Sequence, residues 1–283
     1  MHETFWRIAF ALFLGGLPLA AAHAIIHVAR RRAGRDDAPR WLTGLRWLVN
    51  LVIVAGFAAL TAFIVARWRE SGYPPFSNMP ESLSWMAWGF CLVYFVSRLF
   101  VHFPGLEAAA CLGVVAILAT TSRFDMAPKP LMPALQSNWL VFHVLTCMVS
   151  YGAFFAAFLM ALLWLLVWRK REAGGVVDAL SYQTMAFGFL LLTVGIVSGA
   201  IWARQAWGRY WGWDPKETWS LITWFIYGIY LHYRLIAGSR GAGRERLPML
   251  NSIFAVVGFA ATLFTYFGVN YLLRTGLHSY GTN

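Results

Sequence analysis

Apolar residues fill most of this chain in eight long blocks, at about 5–28, 44–66, 82–100, 104–122, 139–168, 183–203, 216–236 and 249–272. Short polar or Gly- and Pro-containing breaks separate them. Each block approaches the roughly 20 apolar residues that a bilayer-spanning helix needs. The pattern predicts an all-α fold, a polytopic transmembrane bundle of about eight spanning helices. The first block begins almost at the N-terminus and shows no small-residue cleavage site followed by a polar mature start. It therefore predicts a retained helix rather than a signal peptide. The connections are short, and neither an internal repeat nor a low-complexity tract is visible. Residues 1–283 accordingly read as a single integral membrane domain without a soluble module.

Composition agrees: 59% of the 283 residues are hydrophobic and only 12% are charged, with a mean hydropathy of +0.59. The net charge of +11 raises nucleic-acid binding as a reading, but the placement of the charge excludes it. Arg30, Arg31, Arg32, Arg35, Arg40 and Arg46 lie in or beside the first connection. Arg169, Lys170 and Arg171 lie in the fifth, and Arg234, Arg240, Arg244 and Arg246 in or beside the seventh. The even connections carry only scattered pairs such as Arg67 and Arg69. The positive-inside rule puts the odd connections in the cytoplasm and both termini outside. Basicity is then topological, with attraction to anionic lipid as a secondary effect.

The densest chemistry is the run Trp207-Gly-Arg-Tyr-Trp-Gly-Trp-Asp-Pro-Lys-Glu-Thr-Trp219, which the same topology places outside. Trp207, Trp211, Trp213 and Trp219 supply four flat indoles, and Gly208 and Gly212 sit among them. An interfacial aromatic belt accounts for Trp and Tyr at headgroup level but not for the glycines. A shelf for a large planar ligand accounts for both. Asp214, Pro215 and Glu217 also form a helix start, with Asp at the N-cap, Pro at the first helical position and Glu completing a capping box. Asp214 therefore carries a capping role whether or not it also orients the indoles.

Topology sorts the histidines. His143, near the outer end of the fifth block, and His278, just beyond the eighth, flank the Trp-rich segment at one membrane level. A His pair on a flat macrocycle is an ordinary haem arrangement. His232 lies roughly 25 Å along the seventh block from the Trp-rich segment at 1.5 Å per residue, where an ionisable residue marks a functional site, with a helix-end histidine beside Arg234 facing the cytoplasmic headgroups as the alternative. His23 and His27 share a helix face and read as interfacial histidines beside Arg30–Arg32, with metal binding as the alternative. His102 reads as structural, His2 as uninformative, and the Pro-rich stretch 122–138 offers no further chemistry. Cys91, Cys111 and Cys147 lie inside apolar blocks without a CxxC pair and read as small hydrophobes.

Taken together, Trp207 to Trp219 resembles the WWD segment of haem-handling membrane proteins, and its ending Asp214-Pro-Lys-Glu-Thr-Trp219 resembles the CcsA/ResC family of system II cytochrome c biogenesis. Asn78-Met-Pro-Glu-Ser82, His143 in Trp-Leu-Val-Phe-His, Tyr230-Leu-His-Tyr-Arg234 and Leu277-His-Ser-Tyr280 also match, so the resemblance covers roughly residues 70–283. It implies variable N-terminal helices over about 1–70 and an assembly core over about 71–283. It further implies that His143 and His278 are axial ligands of haem held over the WWD segment, and that His232 belongs to an inner haem site. The cargo would be haem b. The partners would be a CcsB/ResB-type membrane protein, apocytochrome c and a thioredoxin-like thiol reductase, and the location the bacterial inner membrane. The implied function is that of a haem-handling subunit of a cytochrome c haem lyase. The alternatives on a similar scaffold are a HemX-like regulator of haem synthesis and a CcmC-like haem-delivery protein.

Overall fold

The computed structural model describes residues 2–273 except 36, 38, 102, 104, 128–130, 169–173 and 241–245. Among them run α1 (His2–Arg32), α2 (Arg40–Ser71), α3 (Met79–Phe100), α4 (Leu106–Thr121), α5 (Asn138–Leu163), α6 (Gly174–Trp207), α7 (Pro215–Arg240) and α8 (Leu247–Leu263). Two of these continue past their α-helical ends in wider π turns, α5 through Trp164–Trp168 and α8 through Phe264–Leu273. No strand occurs among the described residues. The fold is the helical membrane bundle that the apolar blocks predict.

Among the described residues six helices are long and apolar enough to cross a membrane: α1, α2, α3, α5, α6 and α8. The eight α-helices correspond to the eight apolar blocks, and two of them fall outside those six. Helix α4 has 16 residues, about 24 Å of rise against a hydrocarbon core of about 30 Å. Helix α7 has 26 residues but is interrupted by Thr218, Ser220, Thr223, His232 and Arg234, and it falls outside the six. Helix α6 starts at Gly174, well before the expected 183, and carries Asp178 into the bundle.

Helix α5 lies at the centre, packed against α3, α4, α6 and α8, while α1 packs on α2 and α4 and α7 packs on α6 and α8. Two glycines let α3 and α5 close up. A Cβ on Gly152 would lie 2.7 Å from the Phe90 backbone nitrogen, and one on Gly89 would lie 2.7 Å from the Val149 Cα. Such small-residue contacts are the usual means of close helix approach in lipid.

Polar pairs fasten the two ends of the bundle. At the end bearing the Trp-rich segment, Arg67 on α2 meets Glu81 on α3 at 2.9 Å, both side chains almost wholly buried. Glu81 also accepts from the Ser77 amide and hydroxyl. Asn78 caps α3 by accepting the Glu81 amide at 3.0 Å. His2 joins this group through Arg67 and Glu70 and is 6% exposed. The terminal histidine that the sequence leaves without a role is thus an anchor for α1. At the opposite end Arg234 on α7 pairs with Asp178 on α6 at 2.7 and 3.0 Å and also donates to the Tyr230 hydroxyl. His23, expected at the interface, is only 5% exposed. The expected structural role of His102 lies outside the described residues.

Candidate functional site

A large cleft opens at the Trp-rich end, enclosing about 1170 Å³ with its mouth included. Its lining is mostly apolar and aromatic, as small-molecule sites generally are. It gathers the start of α3, the N-terminal half of α5, the C-terminal half of α6, the segment before α7 with the first turn of α7, and the π-helical end of α8.

His143 lines this cleft from α5. Its Nδ1–H donates to the Gly195 carbonyl on α6 at 2.7 Å. That bond makes Nε2 the basic nitrogen of the ring, the arrangement typical of metal-binding imidazoles. The ring has room because Gly199 faces it: a Cβ there would lie 2.6 Å from Nδ1. Behind the imidazole, Trp202 lies nearly parallel, with centroids 6.1 Å apart and planes 12° apart. The Trp202 indole is fully buried and donates to the Ala134 carbonyl at 2.9 Å. The stretch 122–138, which shows no chemistry in sequence, therefore supplies the acceptor that fixes this support, and its Leu135 lines the cleft as well.

The four Trp residues of the segment take four different places. Trp211 lines the cleft, together with Tyr210 and Lys216. Trp207 stands behind it, edge-on to Trp202 at 4.7 Å, so it buttresses the His143 wall. Trp219 turns away to pack on Phe264, at 4.1 Å. Trp213 is 69% exposed and meets Trp211 edge-to-face at 5.8 Å.

The backbone of this segment is held tightly. Gly208 has φ of +78°, in the left-handed region that glycine enters without penalty. Its carbonyl accepts from Arg204. Trp213 has φ of +56°, uncommon for a bulky residue and a local cost of roughly 1–3 kcal/mol. The expected capping box is present. Asp214 Oδ1 accepts the Lys216 amide at 2.9 Å, while Glu217 Oε2 accepts the Asp214 amide at 3.1 Å and the Gly212 amide at 2.8 Å. Glu217 therefore fixes Trp213 from both sides. At Gly212 the absent Cβ accommodates the Arg209 guanidinium, which would lie 2.7 Å from it.

Of the remaining histidines, His232 sits on an exposed face of α7 away from this cleft, with its Nδ1–H donated to Gly228 O at 3.0 Å. His278 lies outside the described residues. The structure thus brings together His143 and Trp211, keeps Trp207, Gly208, Gly212, Trp213 and Asp214 in the surrounding frame, and separates Trp219 and His232. Sequence reasoning missed Tyr151, Tyr266, Asn270 and Lys216 among the cleft residues. Asn270 is a polar residue near the end of an apolar block, a signal for function in a membrane helix.

Residues 76–278 match a family model described as Cytochrome C assembly protein. The chain is 40% identical to the cytochrome c biogenesis protein CcsA of Parasynechococcus marenigrum (strain WH8102), over 96% of this chain and 94% of that protein. It is also 40% identical to the CcsA protein of Chlamydomonas reinhardtii, over 78% of this chain and 65% of that one. Among solved structures, the Cytochrome c Heme Lyase CcmF superposes with a TM-score of 0.62 at 20% identity, covering 94% of this chain. The chain spans 46% of that lyase, and the likeness is one of fold.

Proposed function

This chain belongs to the CcsA family of cytochrome c assembly proteins, and from that premise we propose that it is the haem-handling subunit of a system II cytochrome c synthase. The observation that carries the proposal is the cleft in which His143, oriented by Gly195 and backed by Trp202, faces the same space as Trp211. An apolar, aromatic-lined space with one fixed imidazole fits a flat macrocycle bearing an iron. Haem b is the cargo in this reading, ligated by His143 and His278 outside. Trp211, Gly208, Gly212, Trp213 and Asp214 form its platform, and Trp207 and Trp219 brace that platform.

His232 receives haem on the cytoplasmic side. Its exposed position on α7 suits an inner site completed by a ligand from a CcsB/ResB-type partner, and the Asp178–Arg234 pair holds that stretch of α7 against α6. The bacterial inner membrane is the location, with the Trp-rich segment and both termini on the external face.

The acceptor is apocytochrome c with a CxxCH motif, its thiols kept reduced by a thioredoxin-like partner. Each cysteine S–H adds across a haem vinyl group. The sulfur bonds to one vinyl carbon and the proton goes to the other, so the step consumes no oxidant or reductant. This chain's contribution is positioning: it holds the macrocycle and keeps water away while thiol and vinyl meet. Co-expression with a CcsB-type partner and a reporter apocytochrome tests the proposal. Covalent haem on the reporter that requires this chain is the expected result. Equal covalent haem without the chain removes the reading.

A further inference from the structure

A connected set of polar side chains lines part of the cleft that His143 also lines. Ser82 on α3 and the Tyr266 hydroxyl on the π-helical end of α8 are 2.5 Å apart. Asn270, one turn further, donates to the Tyr266 carbonyl at 3.0 Å. The Lys216 ammonium donates in turn to Asn270 Oδ1 at 3.0 Å. All four side chains line the cleft, as does Asn78, whose hydroxyl-bearing neighbour Ser82 lies one turn along α3.

Two features of this set point to a ligand. Lys216 carries a positive charge, and the partner of its ammonium is a neutral amide. Asp214 acts on Lys216 through its charge and accepts the Lys216 backbone amide on Oδ1, while Glu217, which also lines the cleft, accepts the Gly212 and Asp214 amides on Oε2. The second feature is Asn78. Its Oδ1 caps α3, while its Nδ2 is buried without a hydrogen-bond partner among the described residues. An ammonium lining a mostly apolar cleft, and a buried amide donor left without an acceptor, are each costly unless a negative or acceptor group meets them.

We propose that Lys216 and Asn78 form the carboxylate-binding subsite of the cleft and thereby set the orientation of the macrocycle. The inference rests on the haem reading above and deepens it. The matching ligand class is a planar, apolar ring system with carboxylate side chains on one edge. On protoporphyrin the two propionates lie on the side away from the two vinyl groups. Anchoring the acid edge at the α3–α8 wall therefore turns the reactive vinyl edge away from Lys216. The same anchoring discriminates against porphyrins whose acids are masked.

The test compares ferric haem with its dimethyl ester, using the full chain purified with a CcsB-type partner and following the Soret band. Wild type is expected to bind the diacid about tenfold tighter than the diester, the scale of a hydrogen bond to a charged group. Lys216→Met should lower diacid affinity about tenfold and leave the diester unchanged, whereas Lys216→Arg should keep most of the preference. The diacid-to-diester ratio of the wild type needs no variant, so it decides the matter even if Lys216→Met fails to accumulate. Equal binding of both ligands by wild type overturns the subsite while leaving the haem reading intact. Binding of neither ligand removes both.

Discussion

The His143 imidazole is tied across a helix interface to the Gly195 carbonyl, Nδ1 to oxygen at 2.7 Å, while the same ring lines the cleft. One nitrogen serves the fold, and the ring is thereby presented at a fixed angle. Position 199 controls this as closely as the histidine does, because a Cβ there would lie 2.6 Å from Nδ1. His143→Ala is expected to abolish cytochrome c maturation with membrane levels near wild type, and added imidazole should partly restore it. Gly199→Val should reproduce the loss by displacing the His143 ring while the histidine itself is kept. Maturation assays on both variants check this, and normal activity in His143→Ala would remove the ligand role.

The division of the Trp-rich residues predicts a graded series. Trp211→Phe should reduce the haem retained through purification more than Trp213→Phe does, since only Trp211 lines the cleft and Trp213 acts through it. An interfacial anchor would tolerate both exchanges equally. Haem content per protein, from pyridine haemochrome spectra, distinguishes the outcomes.

Glu217 should behave as the fastener of this segment. Glu217→Ala leaves the Gly212 and Asp214 amides without their acceptor, at a cost of about 1–3 kcal/mol. Asp214→Ala removes the N-cap at a cost of about 1 kcal/mol. Both variants should lose haem and show faster proteolysis between α6 and α7, whereas Trp211→Phe should lose haem alone.

The buried Arg67–Glu81 pair predicts strong coupling. Arg67→Met should destabilise the protein by about 3–5 kcal/mol, because it strands a buried carboxylate. The double variant Arg67→Met, Glu81→Leu should recover much of that loss. Thermal unfolding in detergent measures it; additive losses would show that the two residues act independently.

The placement of the Arg clusters predicts that reporters inserted after Arg171 and at the C-terminus report opposite sides of the membrane, the first cytoplasmic and the second external. A C-terminal reporter active in the cytoplasm would overturn that orientation and the pairing of His143 with His278.

The helices and the helix start at Asp214 were legible because apolar blocks and capping residues act locally. The cleft was legible only through residues with unmistakable chemistry, His143 and Trp211. What escaped was the part created by distant contacts. Trp202 looks like one more apolar residue of α6 until Ala134 holds its indole. His2 looks terminal until Arg67 buries it. Lys216 looks like a helix-start residue until the end of α8 brings Asn270 to its ammonium. The glycines were read as access for a ligand, and the fold requires them for reasons the sequence did not show: Gly208 for its backbone angle and Gly212 for the space Arg209 takes.

The π-helical end of α8, Phe264–Leu273, makes the chain there sensitive to length as well as to sequence. A π turn holds an extra residue relative to an α turn. Deleting one residue between Phe267 and Val269 should let the helix relax to α geometry, where each residue advances about 100° around the axis at 3.6 residues per turn. Asn270 would be displaced relative to Lys216 and their bond lost, although no residue of the site had changed its identity.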